Sequence, residues 1–248
     1  MSIAHFNARI ITSRQSVVCY AAKHHRVRMF DALKGRMVKL EGGSEPVHTE
    51  VMLPVSAPRW IMDMVDDVEP WKASQDVWNK ITMEERANGQ LAREIIVALP
   101  VELKREQNIA LMQDFIELHL VSLGVVVDWT FHDTPGSPHA RILHTLRPVD
   151  SAGFGKKNLP VVDDDGRPLR TGNRIVYRPL IGGHEGIIAL RTAWRAVVNR
   201  HLEMAGDEAR IDMRSYIDKG VDNVPGQHTG SVRRAIVERK ASVSTKTS

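Results

Sequence analysis

The chain is poor in several things that would each have fixed its class. It has one cysteine, Cys19, so an internal disulfide is excluded, and a reducing cytoplasm is the expected setting. It has no apolar run long enough to cross a bilayer, so no membrane insertion is expected. Its opening stretch, MSIAHFNARIITSRQ, carries His5 and Arg9 within the apolar part and lacks a small-residue cleavage site, so it does not read as a signal peptide. Aromatic residues make up only 5%, which argues against a base-stacking platform across the whole surface. There are three tyrosines, Tyr20, Tyr177 and Tyr216, which narrows the choice of any phenolic nucleophile. No internal repeat is visible. What is present is 248 residues with 42% hydrophobic content, enough for one large domain or one domain with appendages. The net charge of +4 permits nucleic-acid binding without demanding it.

Residues 3–12 alternate as a strand. Ser13 to Ser16 can cap a helix starting near Val17, and VVCYAAKHHRVRMFDALKG reads as helical with Gly35 as its stop. Two helices are expected over 58–66 and 71–90. REIIVALP reads as a buried strand ended by Pro100, and KREQNIALMQDFIELHLVSLG as an amphipathic helix ended by Gly124. VVVDWTFHD and HARILHTLRP read as two strands joined by TPGSP, which has turn chemistry. Residues 149–186 are loop-rich. A helix is expected near 187–205 and a short one at RSYIDKG. The order predicts an α+β domain, an antiparallel sheet with helices on one face. The division expected is a domain over 1–236, with its sheet-and-helix core in 1–150 and a loop-rich, helical extension over 151–236. The Ser/Thr/Lys-rich tail, 237–248, is expected to be disordered.

FHDTPGSPHARILH concentrates three of the eleven histidines in one hairpin. If the hairpin closes on DTPGSP, His132 faces His139, Thr130 faces Arg141 and Asp128 faces Leu143. Side chains alternate along a strand. One face then carries Asp128, Thr130, His132, His139 and Arg141, and the other carries Val127, Trp129, Phe131, Ala140, Ile142 and Leu146. Two opposed imidazoles plus a third would form a metal site with open positions. A polar edge hairpin without a metal is the plain alternative. His144 is the third imidazole of the segment. It falls on the core face and reaches the polar one only through a bulge.

The same residues resemble the signature H-x-D … P-H-x-H … T-L-R-P of MobA/MobL relaxases, the MobQ group, most nearly the N-terminal domain of TraA-type conjugation proteins. SVVCYAAKHHRVRM is similar to the family's nucleophile helix, and QLAREIIVALPVELKREQNIAL to its next strand-helix block. GFGKK, NRHLEMAG and DMRSYIDKGVDNVPGQHTG follow in the family's order. The resemblance implies a histidine-hydrophobe-histidine (HUH) endonuclease fold. It also implies a divalent metal, Mg2+ or Mn2+, held by three histidines, and a tyrosine that nicks single-stranded transfer-origin DNA and later rejoins it. Expected partners are that DNA, a coupling protein and relaxosome accessory proteins. The setting is the donor cytoplasm, from which the protein is carried with the DNA into the recipient. TraA-type proteins continue into a helicase, so either unwinding comes from elsewhere or this sequence is a piece of a longer protein.

Two positions depart from the pattern. His132 and His139 match two family ligands, but Arg141 occupies the third ligand position, and a guanidinium cannot bind a metal. Lys23 occupies the family's tyrosine position. Tyr20 lies one turn earlier on the same helical face, displaced by roughly 4.5 Å along the axis. The metal set expected is therefore His132, His139 and His144, with Tyr20 as the nucleophile and Glu94 orienting a ligand or accepting a proton. Glu94 or Asp128 could also complete a mixed site, and a salt bridge to a nearby arginine is the plain alternative for Glu94. Arg14, Lys23, Arg26, Arg28, Arg141 and Arg147 are the expected contacts to the DNA backbone. Three activities fit: transesterification by Tyr20, origin binding without nicking, and hydrolysis by water in the same pocket.

Overall fold

The structure, a computed structural model, describes residues 5–40 and 42–213. The helix expected at RSYIDKG, the tail, and the last part of the extension lie outside the described residues.

In chain order the elements are β1 (Phe6–Thr12), α1 (Val17–His25), β2 (Phe30–Asp31), β3 (Arg36–Met37), β4 (His48–Met52), α2 (Arg59–Val65), α3 (Pro70–Glu84) and β5 (Gln90–Ala98). Then come α4 (Arg105–His119), β6 (Val127–His132) and β7 (His139–Thr145). Short pairs follow: β8 (Val149–Asp150), β9 (Gly153–Phe154), β10 (Asn158–Pro160), β11 (Arg170–Thr171), β12 (Arg174–Ile175) and β13 (Tyr177–Pro179). The last element is α5 (Gly183–Met204). No helix among the described residues is long and apolar enough to cross a membrane.

The main sheet is antiparallel, in the order β1-β5-β7-β6-β4. The hairpin register is the one that the spacing predicts: His132 opposes His139, Thr130 opposes Arg141 and Asp128 opposes Leu143. The α+β class with its antiparallel sheet therefore stands. The helices differ from expectation in one respect, because they cover both faces. On one face Phe6, Ile95, Val97, Trp129, Phe131, Ala140 and Ile142 pack with Leu111, Phe115, Trp194 and Val198 of α4 and α5. On the other, Ile11, Ala92 and Leu143 pack with Val17, Val18, Ala21, Val77, Trp78 and Ile81 of α1 and α3. Every residue of β6 is buried, which a sheet covered on one side would not give.

Helix α1 is capped by Ser16, whose Oγ accepts from the Cys19 N–H at 3.0 Å and donates to Asp31 at 2.5 Å. It does not continue to Gly35. Arg26 adopts the left-handed conformation, φ 57°, and ends it. The chain then turns back through the β2–β3 pair, with Gly35 at φ 60° in the turn. Buried Met29 and the Ser16–Asp31 bond make this return more favourable than further helix. Pro70 opens α3, where its missing N–H costs nothing.

Candidate functional site

Two adjacent histidines fasten α1 to the sheet. His24 Nε2 donates to Glu94 Oε1 on β5, and His25 Nε2 to Asp128 Oδ1 on β6, both at 2.7 Å. The second oxygen of Asp128 accepts from Ser74 Oγ at 2.6 Å and from Trp78 Nε1 at 2.8 Å. Glu94 also pairs with Arg9 of the neighbouring strand β1. Burial alone would raise the Glu94 pKa, but the bonds and charges of His24 and Arg9 outweigh it and hold the carboxyl at about 2. Burial works against the charge on Asp128 too, and His25, Ser74 and Trp78 still keep its pKa below the usual range. Burial lowers the His24 pKa despite its acidic partner, so the ring is neutral and donates through Nε2. In the stretch Lys23 to Arg28 the sequence offers Lys23, Arg26 and Arg28 as DNA contacts and gives the histidines between them no role. Its two central histidines are instead buried anchors, and no local pattern announces carboxylate partners 70 and 103 residues away.

Above these anchors the rings of His132 and His139 stack, with centroids 5.1 Å apart and planes 12° from parallel. His139 Nδ1 donates to the Ser137 carbonyl at 3.0 Å, which leaves the Nε2 lone pair free. His132 Nε2 lies 3.2 Å from Thr130 Oγ1. Burial, then the charges of His139 and Arg141, push the His132 pKa down to about 4, so the imidazole is neutral at pH 7. His139 is lowered as well, chiefly by burial. Arg141 stands on the same face, opposite Thr130 on one side and Ile96 on the other. Its Nε is buried without a hydrogen-bond partner among the described residues. Burial lowers its pKa, but from a value so high that the group stays charged.

The chemistry of this donor set does not fit a three-histidine metal centre. Two imidazoles are in place, and the third position holds a cation that repels a divalent ion. Among the described residues no group of three or more His, Cys, Asp or Glu side chains is arranged to hold one. His144 does not complete it. It pairs with Arg93 and Val127 in an unbroken register, so no bulge turns it over, and it lies on the opposite face. There it is fully buried, and its Nδ1 donates to the Thr145 carbonyl at 2.8 Å.

Tyr20 is half-buried beside Arg9, the partner of Glu94. Gln15 Nε2 donates to its hydroxyl at 3.0 Å, and the Arg9 guanidinium lies 4.8 Å over its ring. Glu94 pairs with Leu143, four residues along β7 from His139, which is about 13 Å at the rise of a strand. Lys23 points elsewhere, into a cleft with Ser16, Cys19, Asp31, Lys34 and Arg36. Arg14 and Arg28 are exposed. Arg26 is half-buried and donates to the Gly42 carbonyl at 3.2 Å, and its charge bears on His132, His139 and Arg141. Arg147 is tied to Glu85 at 3.0 Å, away from the histidine pair. The structure thus brings together His132, His139, Arg141 and Arg26, with Glu94 and His24 beneath them, and separates His144, Lys23 and Arg147 from that group.

The histidine shifts set a pH dependence. His132 and His144 both have folded pKa values of about 4 against an ordinary 6.5. The unfolded chain therefore binds more protons between those values, and stability falls as pH drops from 6.5 toward 4. Thermal melts across that window should show a steady loss, and His144→Gln should flatten the curve. A flat wild-type profile would contradict these assignments.

The sequence matches the MobA/MobL family over residues 15–239. It is 40% identical to the conjugal transfer protein TraA of Rhizobium radiobacter over 97% of this chain and 22% of that protein. The TraA of Agrobacterium fabrum gives the same figures. Mobilization protein A of Escherichia coli is 30% identical over 62% of this chain and 22% of its own length. The chain thus spans about a fifth of the TraA proteins it matches. A solved structure, from work on the molecular basis of vancomycin resistance transfer in Staphylococcus aureus, superposes with a TM-score of 0.68. It is 28% identical, over 87% of this chain and all of that one. The family match over most of the sequence and the superposition agree, and the chain belongs to the MobA/MobL family.

Proposed function

We propose that this domain grips single-stranded transfer-origin DNA through a phosphate pocket built of Arg141, Arg26, His132 and His139, and that it does not nick the strand itself. One observation carries this reading: a charged guanidinium occupies the position beside the two neutral imidazoles. A guanidinium takes a phosphodiester bidentately and needs no metal to do so. Family membership supplies the class of ligand, the transfer-origin strand. Arg14, Lys23 and Arg28 would extend the backbone contacts. Glu94 would act as a positioning residue, holding α1 through His24. A coupling protein and accessory proteins are the expected company in the donor cytoplasm, and the domain is taken to extend to about residue 236.

A second reading keeps the nick, with Tyr20 as nucleophile and Glu94 close by. The observation in its favour is the Arg9 guanidinium 4.8 Å over the Tyr20 ring, a cation placed where it could hold a phosphate beside the phenol. Against it stands Arg141 in the third ligand position, where a cation replaces the imidazole that a metal at the scissile phosphate would need. An origin oligonucleotide incubated with manganese or with chelator separates the two. On native gels the protein should bind equally in both, and on denaturing gels no covalent band should appear. A manganese-dependent adduct that Tyr20→Phe abolishes would establish the second reading instead.

A further inference from the structure

On the face of the sheet opposite the histidine pair, Arg93 points from β5 into a cleft of about 690 Å³. The residue is only 6% exposed. Its Nη1 is buried with no hydrogen-bond partner, and no carboxylate among the described residues pairs with it. Burial is the one influence on its pKa, with no acidic neighbour to offset it. The guanidinium packs against Gly182, where a Cβ would collide with it. Gly182 is the N-cap of α5, at φ 124°, and caps the helix with no side-chain bond. A buried cation thus abuts the positive end of a helix of 22 residues. Both favour an anion; Arg93 has none among the described residues, and the acid in the first turn of α5, Glu185, does not line this cleft.

The walls of the cleft repeat the pattern. Arg9, Arg86 and Lys157 line it together with Asn158 and Gly183, and no acidic side chain does. Lys157 is partly neutralised by Glu85 at 2.5 Å, and Glu185, in the first turn of α5, lines a different cleft. An ordered water between Arg93 Nη1 and the unpartnered Nε2 of His144, its cross-strand neighbour, would satisfy both hydrogen bonds. It would bring no charge, so the cost of an unpaired buried guanidinium would remain.

We infer that this cleft is a second anion site, in which Arg93 and the free N–H groups of the first turn of α5 hold a phosphate group, with Arg86 and Lys157 at its rim. The site is separate from the histidine pocket, and its occupancy does not depend on any nicking chemistry. The phosphate is either that of a DNA backbone or that of a free phosphate compound.

The test is a thermal melt of the full chain in inorganic phosphate against chloride of equal ionic strength. At a phosphate concentration about tenfold above Kd, the wild-type midpoint should rise by about 4 °C. Arg93→Met should melt in chloride no lower than wild type, since it removes an unpaired buried charge, and should lose the phosphate response. Arg86→Glu, at an exposed position, should fold normally and cut the response at least twofold. No rise in wild type, or a rise that survives in Arg93→Met, would overturn the site. Titrating an origin oligonucleotide identifies the source of the phosphate. A several-fold weakening in Arg93→Met marks a backbone phosphate, and unchanged DNA affinity with a lost phosphate response marks a free one.

Discussion

Arg141→His should raise the affinity of the protein for Mn2+ by on the order of a hundredfold or more, read by titration calorimetry. The substitution removes a positive charge that repels the ion at short range and supplies a third imidazole on the same strand face as His139. Two of the three ligands are already preset. His139 Nδ1 is held by the Ser137 carbonyl, and the two rings stack within 5.1 Å. Burial keeps His132 neutral well below pH 7, so no proton has to leave it before metal binds. The variant should also bind an origin oligonucleotide several-fold more weakly in chelator, because the phosphate loses its guanidinium. Calorimetry that showed no gain would mean that position 141 does not converge with the histidine pair. An unchanged DNA affinity in chelator would remove Arg141 from the phosphate pocket.

Asp128→Ala should cost about 3–5 kcal/mol, a fall of roughly 10–15 °C in melting midpoint. Asp128 is buried under α1 and α3 and accepts from His25, Ser74 and Trp78, one side chain on α1 and two on α3. Alanine would leave three donors buried without an acceptor, and it is that loss, more than the missing ion pair, that makes the effect large. Asp128→Asn would keep the shape but turn an N–H2 toward donors, so it should recover less than half of the loss. Glu94→Gln should cost less, since its Arg9 partner is largely solvated. Circular dichroism melts of the three variants order these effects. A cost below about 1 kcal/mol for Asp128→Ala would show that α1 and α3 hold to the sheet by apolar packing alone.

The hairpin was legible because alternation and turn chemistry act locally. VVVDWTFHD and HARILHTLRP can pair across TPGSP in one register that keeps Trp129, Phe131 and Ile142 on a common face, and a slip by one residue would have put Ile142 on the opposite face from the two aromatics. The end of α1 was not legible. Arg26 takes a left-handed conformation that a sequence signals when the residue is glycine, and what selects it is the tertiary return to Asp31. The covering of both faces was masked as well. β5, QLAREIIVA, buries five consecutive residues from Leu91 to Ile95, but Arg93 and Glu94 interrupt the apolar run by which a strand covered on both sides is recognised. The site divided in the same way. The facing of His132, His139 and Arg141 follows from alternation, whereas the anchoring of His24 and His25 depends on β5 and β6 meeting α1 across the fold.

Those two anchors give the two helical layers different modes of failure. The layer of α4 and α5 adheres through Leu111, Phe115, Trp194 and Val198, which can shift and repack without losing a bond. The α1 layer is pinned by His24 on Glu94 and His25 on Asp128, two directional bonds to buried carboxylates. Helix α1 is therefore held or released as a unit, carrying Tyr20 and Lys23 with it, while the sheet stays attached to its apolar half. Amide hydrogens of α1 then exchange through a sub-global opening that those of α4 do not share.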